Sequence, residues 1–210
     1  MIVAVVDNRA TITLIRGADL VAAPWKNGGG VTREVGAFPA GAGLDSFTWR
    51  VSIADVAQAG PFSRFAGIDR TLVLLSGAGM LLDETDDTGA HTVQTLALTQ
   101  PLDIAQFAGE AQIDARLVDG ATRDFNLMVR RGAASGETEV WRGDTQRTLS
   151  ADVVLLFCAS GSVSVTPGGD AQPRVLEADD TLRIDTPNAL SCTVKGTGAV
   201  LAISIRYTQR

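Results

Sequence analysis

Between Pro24 and Glu34 the chain reads Pro-Trp-Lys-Asn-Gly-Gly-Gly-Val-Thr-Arg-Glu, which sets an aromatic, two cations, an amide and a carboxylate beside three consecutive glycines. Consecutive glycines expose backbone N–H groups and permit positive φ or the close approach of a ligand. Trp25, Lys26, Asn27, Arg33 and Glu34 add an apolar face, donors and acceptors at several angles. Such a set suits a pocket that reads a small polar molecule, and it equally suits a tight turn whose polar side chains face water.

Two further segments carry polar residues with a strand's period. In Trp49-Arg50-Val51-Ser52-Ile53-Ala54, alternation puts Arg50 and Ser52 opposite Trp49, Val51 and Ile53. In Asp124-Phe125-Asn126-Leu127-Met128-Val129-Arg130 it gathers Asp124, Asn126, Met128 and Arg130 opposite Phe125, Leu127 and Val129. Open antiparallel sheets often turn such a polar face to solvent. A planar amide and a methionine beside fixed charges suit the inside of a small barrel better. There Arg50, Arg130 or Lys26 could engage a carboxylate, an arginine doing so through two parallel hydrogen bonds. Asp124, Glu34 or Asn126 could take a ring N–H, with Trp25 or Met128 against the flat face of the same ligand.

Metal chemistry has little to build on. The chain has one histidine, His91, in an acidic segment from Asp83 onward that lacks the acid-spacer order of a calcium loop. A transition-metal site needs several convergent imidazoles or thiolates, so no metal or other cofactor is expected and the segment reads as a solvated hairpin. Cys158 and Cys192 sit in apolar surroundings without a histidine neighbour and read as reduced core thiols. With neither a Ser-His-Asp nor a Cys-His set, no catalytic residue is assigned.

The elements that must position these groups are strands. Short apolar or alternating runs recur from end to end, at Thr11–Ile15, Phe47–Ala54, Thr71–Ser76, Ala151–Phe157 and Val200–Ile205, while helical periodicity is scarce. A weak internal repeat sharpens the architecture. Gly79 and Gly161, each in a strand-turn-strand context, stand 82 positions apart, and Leu96, Leu102 and Ile104 recur 80 positions on as Leu176, Leu182 and Ile184. The expected fold is all-β with little helix: two jelly-roll-like barrels in one chain, a bicupin. The flexible Gly-Ala-Ala-Ser-Gly at 132–136 divides an N-terminal cupin, 1–132, from a C-terminal one, 137–210. Every specific polar segment falls in the first, so the ligand site is expected there and the second is expected to be mainly structural.

The chain resembles the HutD/Ves family. The resemblance rests on P-W-K-N-G-G-G-x-T-R-E (24–34), F-x-W-R-x-S-I-A (47–54), G-P-F-S-x-F-x-G-I-D-R (60–70) and D-F-N-L-M-x-R-R (124–131). It implies a bicupin fold and a link to bacterial histidine utilisation, where such proteins restrain or tune the pathway by binding a small intermediate such as urocanate or a formylated product. It brings no established reaction. The motif residues it carries over are Trp25, Lys26, Asn27, Arg33, Glu34, Arg50, Ser52, Arg70, Asp124, Asn126 and Arg130.

Composition excludes some partners. A net charge of −6 offers no basic surface for nucleic acid or an anionic membrane. The opening Met-Ile-Val-Ala-Val-Val meets Asp7, Asn8 and Arg9 without a basic leader, fails as a signal peptide and points to a cytoplasmic protein. Two functions from different classes remain: a metal-independent regulatory protein that binds a small carboxylated ligand, and an isomerase or hydrolase using acid–base chemistry among Lys, Glu, Asp and Arg. Long apolar strands near both ends could pair across a homodimer, or their edges could be covered within the chain.

Overall fold

The computed structural model describes residues 10–86, 88–168 and 172–208; the opening apolar run and Asp87 of the acidic segment lie outside them. Among the described residues there are nineteen strands, one 3-10 turn at Gly17–Asp19 and no α-helix. Strand β1 is Thr11–Ile15. There follow β2 (Ala22–Pro24), β3 (Gly30–Phe38), β4 (Trp49–Val56), β5 (Gly60–Pro61), β6 (Ile68–Ser76), β7 (Met80–Thr85), β8 (Thr92–Leu98), β9 (Ile104–Ala108), β10 (Gln112–Leu117) and β11 (Thr122–Arg130). The remainder are β12 (Ala134–Arg142), β13 (Thr145–Leu149), β14 (Val153–Ser160), β15 (Ser162–Pro167), β16 (Arg174–Glu177), β17 (Thr181–Asp185), β18 (Leu190–Gly196) and β19 (Ala199–Tyr207).

The chain divides into two compact units. The N-terminal unit is Leu20–Ser135, and the C-terminal unit joins Gly136–Tyr207 to the segment ending at Asp19. In the N-terminal unit a six-stranded sheet, β2-β3-β4-β11-β6-β9, packs with a four-stranded one, β5-β10-β7-β8; the C-terminal unit holds β1-β17-β14-β19-β12 and β13-β18-β15-β16. All the described strand pairings are antiparallel. Adding eight to each strand of β5-β10-β7-β8 gives β13-β18-β15-β16, and the same shift turns β4-β11-β6-β9 into β12-β19-β14-β17. The weak repeat in the sequence is therefore a duplicated sandwich.

Each unit has its own apolar interior, around Leu72, Leu74, Met80, Leu82, Ile113 and Ala115 in one and Val154, Leu156, Val163, Val165, Leu182 and Ile184 in the other. Strand alternation explains the split, since one face of each sheet must leave water to offset the entropy of ordering the chain.

One expectation differs from what is seen. The sequence places the segment before Leu20 in the first cupin, whereas β1 pairs with β17, Thr11 opposite Asp185 and Ile15 opposite Thr181. Just beyond it, the Asp180 carboxylate accepts from Arg16 Nη1 at 2.5 Å and from the Gly17 N–H at 2.9 Å. The alternation in Thr11–Ile15 announces a strand but names no partner, so neighbourhood in sequence was a poor guide to its sheet. Of the two strands near the ends, β19 lies between β14 and β12, while β1 pairs with β17 and forms the edge of its sheet.

Candidate functional site

The glycine-rich segment is a hairpin between β2 and β3. Its turn is closed by the Trp25 N–H donating to Gly30 O at 2.9 Å and the Gly28 N–H donating to Trp25 O at 3.0 Å. Asn27 Oδ1 accepts the Gly29 N–H at 3.0 Å, and Gly28 takes a φ of +72°, which favours glycine. The N–H groups of Gly28 and Gly29, which the sequence offered to a ligand, are thus spent on the turn. Gly30 is required for another reason: a Cβ there would lie 2.6 Å from Asp55 O and 3.1 Å from the Trp25 ring. The missing side chain lets the indole lie over β3, where its Nε1 donates to Thr32 Oγ1 at 2.7 Å.

Beneath this hairpin the inner face of the six-stranded sheet is polar in ordered rows. Arg50 (β4), Met128 (β11) and Arg70 (β6) occupy one row; Glu34 (β3), Ser52, Asn126 and Leu72 the next; Thr32, Ala54, Asp124 and Leu74 the one after. With about 4.8 Å between strands, Arg50 and Arg70 stand roughly 10 Å apart at the backbone, close enough for both side chains to converge on one small anion.

The rows wall a cavity of about 640 Å³, within the range of small-molecule sites. Of the expected ligand residues, Trp25, Lys26, Asn27, Arg50, Ser52, Arg70, Asp124, Asn126 and Met128 line it. Lys26 and Asn27 are exposed.

Arg70 is 6% exposed, and its guanidinium lies 5.1, 5.8 and 5.0 Å from the ring centres of Phe62, Phe65 and Phe107. Nη1 makes a long contact to Ser63 O at 3.5 Å, and Nε has no partner. Burial lowers the Arg70 pKa to about 10, opposed by the charge of Asp124 and reinforced by that of Arg50, so it stays cationic at neutral pH. The aromatic faces supply part of what water would have given.

Asp124 is 2% exposed. Among the described residues no cation comes within ion-pairing distance of it. Burial pushes its carboxyl up to about 7; Arg70 works against that rise and Asp55 adds to it. Asn126, 9% exposed, leaves Oδ1 without a partner. Arg50 is held at the rim, Nε donating to Glu34 Oε2 at 2.8 Å and Nη1 to Ser52 Oγ at 3.3 Å.

Three expected ligand residues are engaged elsewhere. Arg33 lies on the outer face, where it and Arg123 both pair with Asp55. Glu34 is occupied by Arg50. Arg130, at the end of its polar row, donates from Nε to Phe47 O and from Nη2 to Asp45 O, both at 2.9 Å, with its guanidinium over the Phe47 ring. It fastens the loop before β4, whose Leu44 reaches the cavity wall. Alternation predicted its face but not that the strand ends beside a loop with free carbonyls. The aromatic cage was missed: Phe62 and Phe65 stand within the segment leading to Arg70, yet nothing in the spacing ties them or Phe107 to its charge.

At the position related to Asp124 the C-terminal unit has no acid. Leu74 opposes Asp124, while the repeat-related Leu156 opposes Ala202, so a small apolar side chain stands where the buried carboxyl would be. His91 is 81% exposed and pairs with Asp86. Among the described residues no group of three or more His, Cys, Asp or Glu side chains could hold a metal ion, and no helix is long and apolar enough to cross a membrane. Cys158 and Cys192 are buried and free.

Comparison with known proteins agrees with this architecture. The chain is 38% identical over 174 residues, 83% of its length and 87% of the relative's, to a Pseudomonas putida protein named as an uncharacterised 21.2 kDa protein in the hutC 3′ region. It is 38% identical to the Escherichia fergusonii protein Ves over 117 residues, 55% of this chain and 56% of that one. The solved structure of HutD from Pseudomonas fluorescens superposes with a TM-score of 0.77 at 32% identity, covering 94% of this chain and 99% of the other. Hazelnut vicilin (Corylus avellana; TM-score 0.61, 6% identity, 93% and 86% of the two chains) and Bacillus subtilis oxalate decarboxylase (0.56, 9%, 92% and 76%) share the fold, which is that of a bicupin. The HutD family's sequence profile matches residues 17–202, and the chain belongs to the HutD family, a family linked to the histidine-utilisation locus.

Proposed function

We propose that this protein is a cytoplasmic, non-enzymatic regulator of histidine utilisation, and that the cavity of its N-terminal unit binds a small carboxylated intermediate of that pathway, urocanate or a formylated product. The observation that carries the proposal is Arg70, a buried cation on the cavity wall with an unpartnered Nε and, among the described residues, no carboxylate in ion-pairing reach. A desolvated guanidinium is costly unless an anion meets it. A ligand carboxylate between Arg70 and Arg50 would supply that anion and relieve the repulsion between the two arginines. Trp25 and Met128 offer the apolar surface a flat ligand needs.

Asp124 favours a second reading, an acid–base enzyme acting on the same kind of substrate, because a buried carboxyl near neutrality can give or take a proton at working pH. The experiment for the first reading is a thermal-shift screen of the purified protein across the intermediates of histidine breakdown. A true ligand at a hundredfold excess over its dissociation constant stabilises by about 2.7 kcal/mol, whereas no shift with any of them would refute it. Sustained turnover of urocanate or formylglutamate, lost in Asp124→Asn, would favour the enzyme instead.

A further inference from the structure

The charges on the cavity wall do not cancel at close range. Arg50 has Glu34 at 2.8 Å. Among the described residues Arg70 meets three aromatic faces and makes a long carbonyl contact, and no ion pair reaches Asp124. One desolvated cation and one desolvated carboxyl are therefore each other's distant counter-ions.

A carboxylate settling on Arg70 would end that arrangement. It would take the cation for itself, and an ionised Asp124 would become a second anion in the same low-dielectric space. Two carboxylates that share a site do not both stay ionised cheaply, and one of them takes a proton. The ligand, in direct contact with a guanidinium, is the one that keeps its charge; Asp124, without a close partner, is the one that protonates.

We propose that carboxylate binding in this cavity is coupled to uptake of one proton by Asp124, so that the site accepts an anion and a proton together. This rests on the carboxylated-ligand reading above.

Among the described side chains lining the cavity, Asp124 is the one placed to take up the proton. On β4, Arg50 is paired with Glu34 of β3, and Asp55 faces outward to Arg33 of β3 and Arg123 of the same strand as Asp124. On β6 stands Arg70, and at the hairpin the exposed Lys26. The core around its row neighbours Ala54 and Leu74 is apolar, built of Met80, Leu82, Ile113 and Ala115 from the second sheet. No histidine lines the cavity. Burial already holds Asp124 at about 7, so a new anion beside it would lift it through the neutral range.

Because the bound form holds the proton more tightly than the free form, affinity is greatest below about pH 7 and falls as pH rises, by up to about tenfold per pH unit.

The test is calorimetric titration of formylglutamate, which unlike urocanate carries no imidazole that could take the proton itself, into the full-length protein at pH 8, in two buffers of contrasting ionisation enthalpy, repeated at pH 9. Wild-type protein should take up between half and one proton per ligand and bind several-fold to tenfold more weakly at pH 9. Asp124→Asn should lose the proton uptake, and its affinity, whatever its value at pH 8, should no longer change between pH 8 and pH 9. Binding of formylglutamate by wild-type protein without proton uptake would overturn the coupling and leave the ligand reading intact, as would uptake that persists in Asp124→Asn. No heat and no thermal shift with any carboxylate tested would sink both.

Discussion

Replacing Asp124 by asparagine should make the protein more stable at alkaline pH, although it deletes a charge that faces a buried arginine. The carboxyl is raised from an ordinary 3.8 to about 7, with burial as the first cause. A raised folded-state pKa means that the native state binds the proton more tightly than the unfolded chain. Its contribution is then most favourable below the unfolded value and is lost as pH climbs towards the folded one. Integrated between pH 5 and pH 8, the two pKa values give a loss of roughly 2 to 3 kcal/mol in the wild type. Asparagine has nearly the same shape and no titration, so Asp124→Asn should gain that amount on the wild type over the same interval. Urea denaturation at pH 5, 6.5 and 8 measures it directly, each midpoint read with its slope so that changes in the denatured state are visible. Stability curves that run parallel for the two proteins would refute the reasoning and mean that Asp124 is solvated or closely paired.

Gly30→Ala should cost roughly 1–3 kcal/mol, because the new Cβ would press on Asp55 O at 2.6 Å, and fluorescence of Trp25 should report the displaced indole. Gly28→Ala, at φ +72° with open space around it, should cost about 1–2 kcal/mol from backbone strain alone and leave the Trp25 indole in place, so an equal change in tryptophan fluorescence in the two variants would contradict the steric account. Asp180→Ala should destabilise the C-terminal unit by about 2–4 kcal/mol in urea melts, since it strips Arg16, the Gly17 N–H and the Glu177 N–H of a shared acceptor; a change below 0.5 kcal/mol would argue against a latch there. Cys158 and Cys192, both pushed up to about 11 by burial, should resist an aromatic disulfide reagent at pH 8 until denaturant is added.

The strands were legible because alternation is local. Thr11–Ile15 was read with its observed limits, and the runs at 71–76 and 151–157 became β6 and β14. The duplication was legible because equivalent hairpins need equivalent glycines, at Gly79 and Gly161. Asp124, Asn126 and Met128 shared a face as expected, since the side-chain period of a strand is two whatever the sheet does. What failed were properties of the assembled chain. Which edge β1 covers depends on the free edge of β17. Which acid neutralises which arginine depends on register: Glu34 meets Arg50 only because β3 and β4 align Glu34 with Ser52. That Phe62, Phe65 and Phe107 converge on Arg70 likewise follows from tertiary packing alone.

Arg70 is the cation proposed to meet a ligand carboxylate, and the most direct measurement is the affinity of Arg70→Met for urocanate, by calorimetry beside the wild type at pH 7. Methionine fills similar space and packs well against the three rings, so folding should survive, as circular dichroism and a urea melt can verify. Losing a buried charged partner costs roughly 2–5 kcal/mol of affinity, which predicts binding weaker by about thirtyfold or more. A folded Arg70→Met protein that binds urocanate as tightly as the wild type would contradict the account.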